Sequence, residues 1–148
     1  HGFGTNSDGK HITQPSPETM QKALEMALTD SGLPASEIQV ISGHGTATNQ
    51  GDAAECKATR ALFNDQVPFH SLKGYFGHTL GASGLLETII GMHSLKQNTL
   101  FASKGFQELG VSEPLNIIEK TTPREINTFL KTASGFGGCN TAAIFQKI

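Results

Sequence analysis

Cysteine is scarce in this 148-residue chain: Cys56 and Cys139 are the only two, and they sit in dissimilar contexts. Two thiols so placed build neither a disulfide framework nor a zinc spacing, and they point to a reducing cytosol. Basic runs are also missing, which argues against nucleic acid as a partner, and no apolar stretch approaches the roughly 20 residues of a membrane span. No G-x-x-x-x-G-K-[ST] loop is present, and Gly2-Phe3-Gly4 does not complete a dinucleotide fingerprint. Neither H-E-x-x-H nor clustered Cys/His spacing occurs, so no metal site is expected. A convincing nucleophile is lacking too. Cys139 has no helix start or adjacent base to activate it, and Cys56 falls in the middle of an expected helix.

What is present suits one folded unit. Hydrophobic residues make up 36% and the net charge is −2, which is neither a disordered nor a strongly polyionic composition. The 17 glycines cluster at expected turns, a sign of tight backbone geometry around a site. The chain opens at His1 without methionine, and Gly2-Phe3-Gly4-Thr5 reads like the tail of a strand, so a piece of a longer polypeptide is expected.

Two histidines in glycine-rich turns, with a lysine between them, dominate the motif content. The first lies in Ser42-Gly43-His44-Gly45-Thr46-Ala47-Thr48, followed by Gly51-Asp52 and Glu55. The second closes Ser71-Leu72-Lys73-Gly74-Tyr75-Phe76-Gly77-His78, followed by Gly81-Ala82-Ser83-Gly84. Each falls between an expected strand and an expected helix, where open α/β sheets place their chemistry.

Periodicity supplies the frame. Ser16 caps a helix with Met20, Ala23, Leu24, Ala27 and Leu28 on its apolar side, ending near Gly32. Ile38 to Ile41 form a short strand, Asp52 to Phe63 a second helix, and Val67 to His70 another strand. The third helix is expected from His78, or just after, to about Gln97. With Leu85, Leu86, Ile89, Ile90 and Leu95 it is apolar over much of its girth and reads as a buried central helix. An irregular stretch from Thr99 to Arg124 precedes strands at about Asn127–Ala133 and Thr141–Lys147, which flank Gly135-Phe136-Gly137-Gly138. The order β-α-β-α-β-α-β-β predicts an α/β fold with a mixed five-stranded sheet, mostly parallel, its last hairpin adding an antiparallel partner.

His44, held between glycines, can project from a strand end toward a ligand, with the Thr46 and Thr48 hydroxyls offered to a polar chain. A helix start at His78 and the nearby Lys73 would favour a neutral imidazole that donates a hydrogen bond. Glu87 lies on an otherwise apolar helix and needs a partner, for which Lys73 is the nearest candidate. Asp52 and Glu55 fall in a helix's first turn, where acids are stabilised whatever the function, and read as structural. The Gly135-to-Gly138 turn can aim backbone N–H groups at an oxyanion.

Taken together, these blocks resemble the C-terminal half of a β-ketoacyl-[acyl-carrier-protein] synthase. His44-Gly45-Thr46-x-Thr48 with Gly51-Asp52 and Glu55 looks like one family block. Lys73 with Gly77-His78, Gly81-Ala82-x-Gly84 and Glu87 looks like the second, and Gly135-Phe136-Gly137-Gly138-x-Asn140 like the third. The resemblance covers essentially all of residues 1–148, in the right order, and implies a thiolase-like half-domain whose nucleophilic cysteine would lie in a separate first half.

The resemblance further implies decarboxylative condensation of malonyl-carrier protein with an acyl-enzyme thioester. His44 and His78 would donate to the thioester oxygen, and Thr46 and Thr48 would lie along the pantetheine arm. The Phe136 N–H would help form an oxyanion hole, with Gly135 and Gly137 shaping its turn and the Phe136 ring gating the acyl pocket. Lys73, Glu87, Asp52, Glu55 and Asn140 would act as supports. The implied partners are the acyl carrier protein, the first half, and a second subunit in a homodimer or heterodimer. Ser134 stands where many members carry phenylalanine, Thr132 where asparagine is frequent, and Cys139 where threonine is. A polyene or polyketide synthase is thus as admissible as a fatty acid enzyme, and a non-catalytic chain-length-factor-like subunit is the alternative.

Overall fold

The computed structural model describes residues 1–9 and 11–148. Helix α1 (Pro17–Ser31) begins where the Ser16 hydroxyl accepts the Thr19 N–H, with Pro17 in the first turn, where a missing N–H costs nothing. It ends at Gly32 in the left-handed conformation, as a C-terminal cap requires. Its buried side, Met20, Ala23, Leu24 and Ala27, follows the helical period. Strand β1 (Gly2–Ser7) lies directly beneath. A Cβ on Gly4 would stand 2.2 Å from the Ala23 carbonyl oxygen, so glycine is what lets strand and helix touch.

Strand β2 (Ile41–Ser42) leads into the first histidine turn, and α2 (Asn49–Leu62) follows it. Strand β3 (Pro68–His70) leads into the second turn, which contains the one-turn helix α3 (Lys73–Phe76). After a 3₁₀ turn at Leu80–Ala82 comes α4 (Ser83–Gln97). The irregular stretch contributes three short strands, β4 (Thr99–Leu100), β5 (Asn116–Ile117) and β6 (Thr122–Pro123). The chain closes with β7 (Thr128–Gly135) and β8 (Cys139–Gln146) around the Gly-Phe-Gly-Gly turn.

The main sheet has six strands in the order β1-β8-β7-β2-β3-β5, and β4 pairs with β6 separately. Five strands were expected. The sixth is β5, two residues paired in parallel with β3 and too short to leave a periodic signal. The expected parallel character holds: β2 pairs in parallel with β3 and β7, and the β7–β8 hairpin is antiparallel. Consequently β2, β3 and β7 all end at the same edge of the sheet. The loops that follow them carry His44, His78 and Phe136.

Alternation along β7 divides the core. Leu130 packs with Met20, Leu24, Ile41 and Ile144 under α1 and α2, whereas Phe129 packs with Val40, Leu95 and Ile126 on the opposite face, beside α4. Helix α4 departs from expectation in two ways. It begins at Ser83, so His78 does not head it and lies outside the reach of its dipole. Nor is it buried all round: the face turned to the sheet is Ser83, Glu87, Gly91 and Ser94, while Leu85, Ile89 and Met92 point outward at 68%, 45% and 53% exposure. The reason is steric and electrostatic. Gly91 leaves room for the Phe129 ring, which a Cβ there would meet at 2.5 Å, and Glu87 faces cations described below. The apolar stripe is left on the outside.

A two-histidine site at the ends of parallel strands

The His44 turn is bonded to its surroundings at almost every backbone group. Its N–H donates to Glu55 Oε1 (2.7 Å) and the Gly45 N–H to Glu55 Oε2 (2.8 Å). Thr132 Oγ1 donates to Glu55 Oε1 (2.6 Å) and lies 3.1 Å from the His44 nitrogen. The Gly45 carbonyl accepts from Ser71 Oγ (2.7 Å), which joins the two histidine turns. Glu55 is thus a clamp whose two oxygens accept from consecutive backbone N–H groups. A carboxylate does this well because it is acceptor-only.

Lys73 and Glu87 meet, as their contexts suggested: Lys73 Nζ is 2.7 Å from Glu87 Oε1. The same ammonium donates to the His44 carbonyl and lies 3.4 Å from His44 Nδ1. An ammonium has three donors and no acceptor, so His44 Nδ1 presents its lone pair and the ring proton resides on Nε2. Burial, followed by the Lys73 charge, lowers the His44 pKa to about 4, so the imidazole is neutral at physiological pH.

His78 reaches the same tautomer by another route. The Leu80 N–H donates to its Nδ1 at 3.2 Å, again placing the ring proton on Nε2. The two rings stand edge to face, centroids 5.2 Å apart and planes at 82°. The pair therefore offers two neutral N–H donors from neighbouring rings. Such a pair can stabilise one developing negative charge without a proton being transferred.

A cleft of about 640 Å³ opens beside them, lined by Thr46, Asp52, Lys73 and His78 on one side and residues 103–111 on the other. Thr46 lines it, with its hydroxyl 3.1 Å from that of Thr48. Asp52 is pushed above the ordinary carboxylate range by burial and by Glu55. The far wall docks closely on α3: the Lys104 ammonium lies 5.5 Å from the centre of the Tyr75 ring.

The third block is built as a turn with a polar latch. Asn140 Nδ2 donates to the Gly138 carbonyl (2.9 Å) and to Asn6 Oδ1 (3.2 Å), and its Oδ1 accepts from Ser134 Oγ (3.0 Å). Gly137 and Gly138 adopt positive φ of 76° and 73°, which glycine tolerates and other residues resist. Phe136 rides on this turn, preceded by Gly135, with 76% of its surface exposed. Cys56 is 2% exposed with its pKa pushed up to about 11 by burial, which leaves it inert, and Cys139 donates to Ser7 Oγ at 3.6 Å.

Two residues of the site had not been singled out. Thr132, noted only as departing from a frequent asparagine, bonds Glu55 directly. Lys131 is 3% exposed and lies 2.5 Å from Glu87 Oε2. A lone lysine inside Phe129-Leu130-Lys131-Thr132-Ala133 is the signal that could have found it, since a buried charge needs a partner. His70 is also buried and neutral, its Nδ1 donating to the Phe101 carbonyl at 2.7 Å, a packing role away from the paired rings.

A mixed α/β unit with two donor histidines on adjacent strand-end loops is thiolase-like in fold. Residues 1–107 match the family model of the β-ketoacyl synthase C-terminal domain, and the chain belongs to that family. It is 34% identical to 3-oxoacyl-[acyl-carrier-protein] synthase 1 of Escherichia coli K12, the match covering 99% of this chain and 36% of that protein. A crystal structure of a β-ketoacyl synthase from Burkholderia phymatum superposes with a TM-score of 0.95 at 39% identity, over 99% of this chain and 36% of the other. A ketosynthase–chain length factor complex from Xenorhabdus doucetiae superposes at 0.91 with 30% identity, over 99% and 38%. The chain thus spans a little over a third of the proteins it matches.

Proposed function

We propose that residues 1–148 form the second half of a 3-oxoacyl-[acyl-carrier-protein] synthase and supply the groups that stabilise its enolate. The carrying observation is the pair of neutral imidazoles, both with Nδ1 occupied by a donor and Nε2–H free to donate. In this reading an acyl group first sits on a cysteine of the other half as a thioester. Malonyl-carrier protein then presents its pantetheine arm past Thr46 and Thr48. The bond between the malonyl Cα and its carboxylate breaks, CO₂ leaves, and the electron pair moves into the thioester carbonyl. Its oxygen takes two hydrogen bonds, from His44 and His78, in a geometry worth several kcal/mol (about 3 per donor) because the donors are already oriented.

The enolate carbon then attacks the acyl thioester. The tetrahedral oxyanion faces the Phe136 N–H in the turn shaped by Gly135 and Gly137, and collapse expels the cysteine thiolate, leaving 3-oxoacyl-carrier protein. The Phe136 ring gates the acyl pocket. Lys73, Glu87, Asp52, Glu55 and Asn140 keep the loops in place. These steps need no cofactor.

The bare apolar stripe of α4, Leu85, Ile89 and Met92, supports a covering partner. We assign that role to the cysteine-bearing half, within a homodimer or heterodimer in the cytoplasm. A non-catalytic chain-length-factor-like subunit remains the second reading, favoured by the fold match to a complex of that kind. Retention of His44, Lys73 and His78 favours the catalytic one. The test is product analysis: the 148-residue chain alone should form no 3-oxoacyl product, and a protein joining it to a first half with a cysteine should. Turnover by the chain alone, or none by the joined protein, overturns the proposal.

A further inference from the structure

Lys131 sits inside β7, 3% exposed, and its Nζ has three acceptors within reach: the Ser42 carbonyl (3.1 Å), the Gly43 carbonyl (2.9 Å) and Glu87 Oε2 (2.5 Å). Burial lowers the Lys131 pKa, and the Glu87 carboxylate 2.5 Å from Nζ opposes that and favours the ammonium form, which the two carbonyls also accept from. Lys73 likewise has three acceptors, Glu87 Oε1, the His44 carbonyl and His44 Nδ1. The two lysines therefore divide the work on one loop. Lys131 takes the carbonyls of the two residues before His44, and Lys73 takes the carbonyl of His44 itself together with its ring.

Glu87 stands between them with one oxygen for each. One carboxylate against two ammonium groups leaves a net positive charge buried behind His44. A single Lys73–Glu87 pair would be neutral and would leave the Ser42 and Gly43 carbonyls without the Lys131 ammonium, at the point where the β2 ladder to β7 and β3 stops.

We propose that Lys131 is a positioning residue for the two-histidine site: it fixes the strand end that carries His44 and, by occupying half of Glu87, leaves the positive charge of Lys73 directed at the His44 ring. The proposal deepens the condensing-enzyme reading and rests on it. The charged and titratable groups facing His44 are Lys73 on α3, Glu55 on α2, Lys131 on β7 and His78 in the following loop, with Glu87 on α4 behind the lysines. Of these only Glu55 favours the imidazolium. Removing Lys131 takes away one opposing charge and frees Glu87 to neutralise Lys73 more fully. Both changes make His44 easier to protonate.

The test uses the complete synthase carrying this chain, with Lys131→Met as the near-isosteric neutral variant. Lys131→Gln, which keeps a donor and loses the charge, is the second variant should the first not fold. Two readouts are taken: CO₂ release from malonyl-carrier protein across pH 4–8, and titration of the His44 ring by ¹⁵N NMR of histidine-labelled protein. The expected result is that the acid limb of CO₂ release and the His44 titration both move upward by about one pH unit. A His44 titration at the wild-type position in a folded variant overturns the role of Lys131. Because that readout needs no turnover, it decides the matter even if wild-type enzyme releases no CO₂, an outcome that overturns the condensing-enzyme reading instead.

Discussion

The Lys73 ammonium lies 3.4 Å from His44 Nδ1, and this contact sets which nitrogen of the imidazole carries the proton. A lysine can only donate, so the outward Nε2 must be the N–H. His78 acquires the same state from the Leu80 backbone N–H. Two different devices thus converge on two like donors, which is what stabilising one oxyanion requires.

The first prediction concerns that tautomer. With its pKa lowered to about 4 by burial and Lys73, His44 should show the signature of a neutral ring protonated on Nε2 throughout pH 5–8. ¹⁵N–¹H correlation of histidine-labelled protein measures this. Lys73→Met should raise the titration point, and an imidazolium at pH 7 in the wild type would contradict the geometry.

Glu55 gives a second. It accepts from two backbone N–H groups and from Thr132, so Glu55→Ala leaves three donors near a buried site without their acceptor. The expected cost is about 2–4 kcal/mol of unfolding free energy, read from the urea midpoint. Asp52→Ala, on the same helix but without this clamp, should cost less.

A third follows from His70. Its pKa falls from the ordinary 6.5 to about 4, by burial first, so the unfolded chain takes up the proton before the folded one does. The stabilising effect of keeping this ring neutral is complete above pH 6.5 and drains away as pH falls from 6.5 to 4. The loss should approach about 3 kcal/mol at ~1.4 kcal/mol per pKa unit. Urea unfolding at several pH values checks this, and His70→Gln should show a shallower pH dependence.

Packing of α4 on β7 supplies a fourth. A Cβ on Gly91 would come within 2.5 Å of the Phe129 ring, so Gly91→Ala should destabilise by about 1–3 kcal/mol through overpacking. Ile89→Ser on the outer face, 45% exposed, should leave the urea midpoint of the chain nearly unchanged.

What the sequence made legible was mostly local. Ser16 and Gly32 bracket α1 because caps act within one turn, and the strand–loop–helix order around His44 followed from short-range periodicity. The pairing of Lys73 with Glu87 was readable because a lone acid on an apolar helix demands a cation close by. Lys131 escaped notice because its carbonyl partner Gly43 lies 88 residues earlier, brought near only by the parallel register of β2 and β7. The same register explains α4. Its apolar stripe was read as core, yet β7 presents Phe129 and Lys131, which call for the glycine and the glutamate on the helix's other side. The six-stranded sheet was missed at β5, where two residues carry no period at all.

The central claim is that His44 and His78 together stabilise the enolate, and its most direct test is CO₂ release from malonyl-carrier protein by the complete synthase. His44→Ala and His78→Ala should each lower the rate by roughly 10²–10³, as removal of one preorganised donor does, with transfer of the acyl group to the cysteine largely retained. Release at the wild-type rate in both variants would contradict the account.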